Sequence, residues 1–232
     1  MIIIPARIGS SRVTKKMLRN IKGKQVIQHT VNNVLRANVD EIVVATDSEF
    51  IAELDLGVKT ILMTTVECAN GTERCAYIAE QLNLANSEPV INVQGDKWDV
   101  NPEAVVKIHG YLKNVLPSEK HKCMITMHED ITDTELHNPS IIKVVVNNNK
   151  RALFFTRCPI KGGYKHTGIY GYHVAFFKQY MFYYKSRILE NNESLEQMRV
   201  LENGGEVLCP YFKGNSGGSI NTEVDLLRAN KL

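Results

Sequence analysis

The sequence predicts a single α/β domain over residues 1–232, with a mixed, mostly parallel central sheet flanked by helices. Three observations predict it. Apolar runs of strand length recur along the chain, segments of helical period separate several of them, and polar loops of small residues follow the runs directly.

Strands are expected at residues 1–4, 41–45, 60–63, 89–93, 123–127, 141–146, 152–155 and 206–210. Between the first two, Ile27, Val31, Val34 and Leu35 share one helix face; Val105, Ile108, Leu112 and Val115 do the same further on. Asn101-Pro102-Glu103 reads as an N-cap followed by proline at the first helical position. Thr72 and Glu73 open a helix that buries Ile78 and Leu82, and Leu195, Met198 and Leu201 define a late helix stopped by Gly204-Gly205. Strand and helix thus alternate in the first half, which argues for parallel pairing. The second half mixes strands of Val and Phe with the aromatic segment 176–184, suggesting an antiparallel or mixed extension in which that segment is core or subunit interface. Residues 213–219, rich in Gly and Ser, read as a flexible loop.

With 232 residues, 44% hydrophobic and 23% charged, the chain can build one sizeable core. Its formal charge of +3 is too small for a nucleic-acid binder and suits a small anionic ligand better. No apolar run approaches the roughly 18 residues of a membrane helix. A strand beginning at Met1 is expected to leave no room for a secretory signal, so a cytoplasmic protein without a membrane partner is expected. The five cysteines are odd in number and form no C-x-x-C pair, which favours free thiols over disulfides or zinc.

In a parallel α/β sheet, ligands sit beyond the carboxyl ends of the strands, so the residues that follow each run are the informative ones. After the first strand come Arg7, Ser10, Ser11, Arg12 and Lys16; the fourth leads into Gln94-Gly95-Asp96. Cations with hydroxyls match a triphosphate, and a carboxylate at a strand end beside glycine matches a Mg²⁺ ligand. Several neighbours read as structural. Asp47 suits a helix N-cap, Arg74 taken singly a surface cation, Lys15, Lys22 and Lys24 solvated charges, and His166 a structural histidine.

Taken together, PARIGSSR with Lys16, VATDSEFIA, MTTVECANGTER, INVQGD, NPSIIKVV, ALFFTRCPI, HTGIYGYH and LEQMRVL resemble, in order, the motifs of the 3-deoxy-D-manno-octulosonate (Kdo) cytidylyltransferases. The resemblance implies a fold similar to the nucleotide-diphospho-sugar transferases and transfer of CMP from CTP to the anomeric hydroxyl of Kdo, releasing pyrophosphate. It also implies Mg²⁺, a homodimer, and a product bound for lipopolysaccharide or capsule. By position, Arg7, Ser10, Ser11, Arg12 and Lys16 would hold the triphosphate, and Arg74 and Gln94 would lie along the nucleotide. Arg12, Lys16 and Asp96 would be catalytic, with Asp96 and Asn221 on the metal. Lys143, Arg157, His166, Tyr170, Glu196 and Gln197 would line the sugar pocket. These roles suit the chemistry. In-line nucleotidyl transfer needs its developing charge neutralised by a metal and fixed cations. Arg157 and Lys143 can anchor a sugar carboxylate, while Glu196 and Gln197 offer acceptors to sugar hydroxyls.

The chain departs from the family pattern at four places. Ser219-Ile-Asn-Thr-Glu-Val-Asp-Leu226 aligns with G-V-D-T-P-E-D-L, so Asn221 stands where an aspartate metal ligand is expected; an amide oxygen brings no charge, though it suits an N-cap of the last helix. Lys97 replaces a glutamate after Asp96, and disfavours a cation if it points at that carboxylate. Asp99 and Asp225 are candidates to compensate. Thr14-Lys15-Lys16 replaces P-G-K, and Asn70 replaces a serine. Three readings stay open: a Kdo or related ulosonic-acid cytidylyltransferase with altered metal dependence, a catalytically weak homologue that binds nucleotide or acidic sugar, and a transferase for another sugar acid or nucleotide.

Overall fold

A computed structural model of the chain describes residues 1–9, 12–62, 68–184 and 195–231. Strand β1 (Ile2–Ala6) is buried along its whole length because it pairs on both sides, in parallel with β4 (Ile42–Thr46) and with β6 (Pro89–Val93). Register places Ile2 opposite Ile42 and Ile91, and Ile4 opposite Val44. Strand β5 (Lys59–Leu62) adds in parallel outside β4. On the other side, β12 (Ile169–His173) runs antiparallel to both β6 and β7 (Cys123–Ile125), and β13 (Glu206–Leu208) closes that edge parallel to β7. The result is a seven-stranded sheet in the order β13-β7-β12-β6-β1-β4-β5.

Side-chain alternation along β1 divides the core. Ile2 and Ile4 face helices α1 (Val26–Leu35) and α4 (Pro102–Lys113), packing with Ile27, Val31, Val34, Val105, Ile108 and Leu112. Ile3 faces the opposite layer, where Cys75 and Ile78 of α3 (Gly71–Gln81) meet Phe176, Phe177 and Tyr180 of α6 (Val174–Phe182). The α4 start follows its sequence signal: the Asn101 side chain accepts from Glu103 N–H at 2.9 Å, with Pro102 opening the helix. Helix α7 (Glu196–Glu202) ends where Gly204 turns left-handed at φ 73° and Gly205 N–H returns to the Val200 carbonyl at 2.8 Å.

A second, four-stranded sheet in the order β10-β9-β11-β8 forms one wall of a cleft. It comprises β8 (His128–Glu129), β9 (Lys143–Val146), β10 (Ala152–Thr156) and β11 (Tyr164–His166), paired antiparallel. This is the antiparallel extension that the second half of the sequence suggests. The aromatic segment is not a strand in it, however. Residues 174–182 form α6, because Phe176, Phe177 and Tyr180 recur at helical spacing against the main sheet. Strand β12 takes a central place that the sequence reading did not assign it. Short strands β2 (Asn20–Ile21) and β3 (Lys24–Gln25) pair below α1, and Ile21, Val26, Ile220, Leu226 and Ala229 seat the last helix, α8 (Glu223–Lys231), against them. That packing brings residues 219–225 beside the end of β6. Among the described residues, no helix is long and apolar enough to cross a membrane.

Candidate active site

The carboxyl ends of β1 and β6 open into a cleft of about 1090 Å³. On one wall stand Arg7, Arg12, Lys16, Arg74, Gln94 and Asp96, together with Asn221. Its far wall carries Arg157, His166, Tyr170, Glu196 and Gln197. Ser10 and Ser11 lie outside the described residues.

The floor is built by close backbone approach. Gly95 N–H donates to the Pro5 carbonyl at 3.0 Å, and a Cβ on Gly95 would lie 2.9 Å from that oxygen. Only glycine lets the loop after β6 press onto the end of β1. Asp96 is thereby carried to Lys16, whose ammonium forms an ion pair with the Asp96 carboxylate. The Asp96 carbonyl accepts from Ile220 N–H at 3.0 Å, which draws Asn221 to the same corner; there the Asn221 Oδ1 lies 3.4 Å from Arg12 Nη2.

Asp47 is not a helix cap. Ser48 precedes α2 (Glu49–Ala52), and Asp47 instead accepts from Ile8 N–H at 2.8 Å and from Arg74 Nη2 at 3.4 Å. One carboxylate therefore fixes the start of the basic loop and aims a buried guanidinium, which is no solvated surface cation. Lys15 adopts φ 48° and ψ 41°, the left-handed region, so the backbone keeps a bend that glycine favours while its side chain extends over the Phe50 ring.

Lys97 points neither at solvent nor at Asp96. It is buried, and its ammonium donates to the Gly217 carbonyl at 3.0 Å. Burial pushes its pKa down to about 8, against the pull of Glu129 and Asp96. Residues 215–217 are tied further by Asn101, whose N–H reaches the Ser216 carbonyl and whose amide reaches that of Asn215, each at 3.0 Å. The loop expected to be flexible is thus pinned at its centre. Nor does Asn221 cap α8: Thr222 Oγ1 accepts from Asp225 N–H at 3.2 Å, while Asp225 Oδ2 accepts from the N–H groups of Asn221 and Thr222.

The far wall is an internally bonded polar network. Tyr170 donates to Gln197 Oε1 at 3.1 Å, and Glu196 accepts Thr72 N–H at 2.8 Å and the Gln94 amide at 3.4 Å. Thr126 has one hydroxyl proton, which goes to the Ile169 carbonyl at 2.8 Å, so His166 Nε2 must donate to Thr126 Oγ1. His166 is then neutral with Nδ1 a bare acceptor. Burial, with a smaller contribution from Lys97, lowers its pKa to about 3. His166 Nδ1, Gln197 Nε2 and Thr167 Oγ1 are buried polar atoms without protein partners among the described residues, and all three residues line the cleft. An acceptor, a donor and a hydroxyl left open together suit a polyhydroxy ligand. Arg157 stands at the same wall, donating to the Pro139 carbonyl at 3.1 Å.

Lys143 is placed differently from expectation. It is fully buried and absent from the cleft lining, with its ammonium donating to the carbonyls of Asn138 at 2.7 Å and Arg157 at 3.0 Å. It braces the backbone that presents Arg157. The sequence reading also missed Thr167, Lys165 and Arg199. Lys165 pairs with Glu129 and Glu135, each at 2.9 Å, and although burial works against its charge, these carboxylates leave its pKa raised. Arg199 pairs with Glu73 at 2.8 Å in the interior and stacks 4.6 Å over the Tyr180 ring. The signal for that pair was the arginine inside the helix motif LEQMR, whose neighbours Met198 and Val200 are core.

Among the described residues, no three His, Cys, Asp or Glu side chains converge to hold a metal ion. Asp96 and the Asn221 amide oxygen fit Mg²⁺ only in company with substrate phosphates, since Mg²⁺ is commonly held by one or two carboxylates completed by phosphate and water oxygens.

A cytidylyltransferase family profile matches residues 1–207. The chain is 37% identical to a 3-deoxy-manno-octulosonate cytidylyltransferase of Idiomarina loihiensis, over 100% of this chain and 97% of the relative. It is 35% identical to a relative of the same name from Francisella tularensis subsp. holarctica, with the same coverage. Among solved structures, it is similar to a CMP:2-keto-3-deoxy-manno-octonic acid synthetase complexed with CTP, with TM-score 0.85, 32% identity, and 99% and 96% of the two chains covered. A structure described as a glucose-1-phosphate thymidylyltransferase from Bacillus anthracis shares the fold, at TM-score 0.67 and 18% identity over 99% of this chain and 93% of that one.

Proposed function

Because the chain belongs to the 3-deoxy-manno-octulosonate cytidylyltransferase family, we propose that it transfers CMP from CTP to the anomeric hydroxyl of Kdo, releasing pyrophosphate. The observation that carries this reading is one cleft with two unlike ends: a basic, carboxylate-bearing corner at the sheet's carboxyl edge, and a wall of open polar atoms beside Arg157.

CTP would lay its phosphates on Arg12 and Lys16, with Arg7 at the rim and Arg74 held in place by Asp47. Gln94 faces the N-terminus of α3, where a Cβ on Gly71 would come within 2.3 Å of its amide, so Gly71 keeps room for the nucleotide-facing side chain. The acidic sugar would place its carboxylate at Arg157 and its hydroxyls on His166 Nδ1, Gln197 and Thr167. Neutral His166 accepts a proton-bearing hydroxyl without competing for the carboxylate. The attacking hydroxyl and the α-phosphate then meet between the two ends, and holding them in line supplies much of the rate enhancement. Asp96 and Asn221 would hold Mg²⁺ together with the phosphates, and the ion would supply charge neutralisation at the leaving pyrophosphate. Arg12 and Lys16 contribute fixed positive charge to the same task.

In this reading the enzyme is cytoplasmic and homodimeric and feeds a CMP-sugar into lipopolysaccharide or capsule. Exposed Met181, Phe182 and Tyr184 at the end of α6 support a subunit contact, which sedimentation would detect. The direct test is incubation with CTP, Mg²⁺ and Kdo, followed by mass spectrometry of the product. CMP-Kdo is expected; CMP-sugar formed only from a sialic acid or another sugar acid would move the substrate, and no CMP-sugar from any acid would overturn the transferase reading.

A further inference from the structure

We infer that this chain holds no resident metal ion and takes its divalent cation only as a complex with the nucleotide's phosphates; the inference rests on the nucleotidyl-transfer reading and deepens it. The charges at the corner carry the argument. Asp96 is the carboxylate at the end of β6, and one of its two oxygens, Oδ2, is already occupied by the Lys16 ammonium. The next residue, Lys97, is a buried cation anchored on the Gly217 carbonyl at 3.0 Å. Asn221 offers an uncharged amide oxygen, and that oxygen faces the Arg12 guanidinium at 3.4 Å. Asp225 lines the same part of the cleft, but its Oδ2 is spent on the N–H groups of Asn221 and Thr222 and on the Thr222 hydroxyl. Asp99 is exposed.

A free divalent ion arriving here would have to share the Asp96 carboxylate with one ammonium and its only amide ligand with a guanidinium, while the buried Lys97 charge on the Gly217 carbonyl adds further positive potential. Like charges repel, and Mg²⁺ gives up its water reluctantly to so few oxygens. A triphosphate inverts the balance. Its oxygens offer Lys16 and Arg12 stronger partners than one carboxylate and one amide, so both cations leave Asp96 and Asn221 for phosphate. The Asp96 carboxylate and the Asn221 oxygen are then open to the metal that the phosphates carry. The Lys16–Asp96 ion pair is therefore the resting contact of the empty cleft, exchanged for phosphate and metal in one event.

Water-proton relaxation by Mn²⁺ tests this without turnover, because relaxation rises when the ion rides on a slowly tumbling protein. Mn²⁺ is titrated with the native chain, with CTP, and with both, and the series is repeated for Asn221→Asp and Lys97→Met. The native chain is expected to enhance relaxation only when CTP is present. Asn221→Asp is expected to bind Mn²⁺ without CTP at least roughly tenfold more tightly than the native chain, with Lys97→Met shifting the same way. Enhancement by the native chain alone, at the ion concentrations that suffice with CTP, would overturn the inference and leave the transferase reading standing. So would calorimetric CTP binding in EDTA equal to that with Mn²⁺. Failure of the native chain and both variants to bind CTP under any condition would remove the transferase reading and the inference with it.

Discussion

The two ends of the cleft are built in opposite ways. At the basic corner the functional groups sit after β1, β4 and β6, before α8 and on α3, and charged groups hold them: Lys16 pairs with Asp96, Arg74 with Asp47, and the Arg12 guanidinium faces the Asn221 amide oxygen. At the far wall His166, Tyr170, Glu196 and Gln197 sit on β11, β12 and α7, fixed by hydrogen bonds and buried aromatic packing, while Arg157 and Thr167 follow directly on the ends of β10 and β11. In the proposed function, the corner that receives a highly charged substrate keeps exchangeable ion pairs, and the wall that receives the sugar keeps a rigid pattern of open donors and acceptors. Rigid elements hold such a pattern better than loops do.

That contrast is sharpest when each end is broken separately. Arg199→Met strands Glu73 in the interior, and the loss of a buried ion-pair partner is expected to cost about 3–5 kcal/mol of stability. Urea denaturation measures it; a cost below about 1 kcal/mol would mean that the wall behind α7 is not held by this pair. At the other end, Lys16→Met is expected to leave stability nearly intact and to lower kcat/KM about 10²- to 10³-fold, the scale of losing one preorganised charge on a transition state. Equal loss of stability and activity would contradict the claim that the corner is exchangeable.

A pH series separates the ends again. The His166 pKa falls from 6.5 to about 3 on folding, so between these values the unfolded chain binds the extra proton and stability falls as pH falls. Lowering pH from 6.5 to 5.5 is expected to remove about 1 kcal/mol through this histidine alone. In His166→Gln that part of the slope should vanish, while any slope from the phosphate corner stays. The smallest effect is a gain: Lys15→Gly relieves a left-handed non-glycine residue and should add about 1 kcal/mol by thermal or urea unfolding. Destabilisation instead would show that the Lys15 contact with Phe50 outweighs backbone strain.

Much of this arrangement was legible in the sequence because the relevant rules are local. Runs of Ile and Val followed by polar loops located β1, β4 and β6, and Asn101-Pro102 fixed the start of α4. Since ligands gather beyond parallel strand ends, Arg12, Lys16, Gln94 and Asp96 followed from those strands. The misses are groups whose role depends on a distant partner. Asp47 looks like a cap until Ile8 and Arg74 are seen around it, and the direction of Lys97 stays open between Asp96 and solvent until Gly217 is found above it. Lys143 carries a charge in a motif, yet two carbonyls brought together only by the β9–β10 pairing claim it. The aromatic run 176–184, read as core or subunit interface, divides in the structure: Phe176, Phe177 and Tyr180 are core on a helical period, and Met181, Phe182 and Tyr184 are exposed.

The central claim is that both ends act on one reaction, and the most direct test is pyrophosphate release from CTP, followed continuously with and without Kdo. Release that requires the sugar acid, collapses in Lys16→Met, and matches CMP-Kdo formed mole for mole is the expected result. Release at the same rate without the sugar, or none with both substrates and Mg²⁺ present, would contradict it.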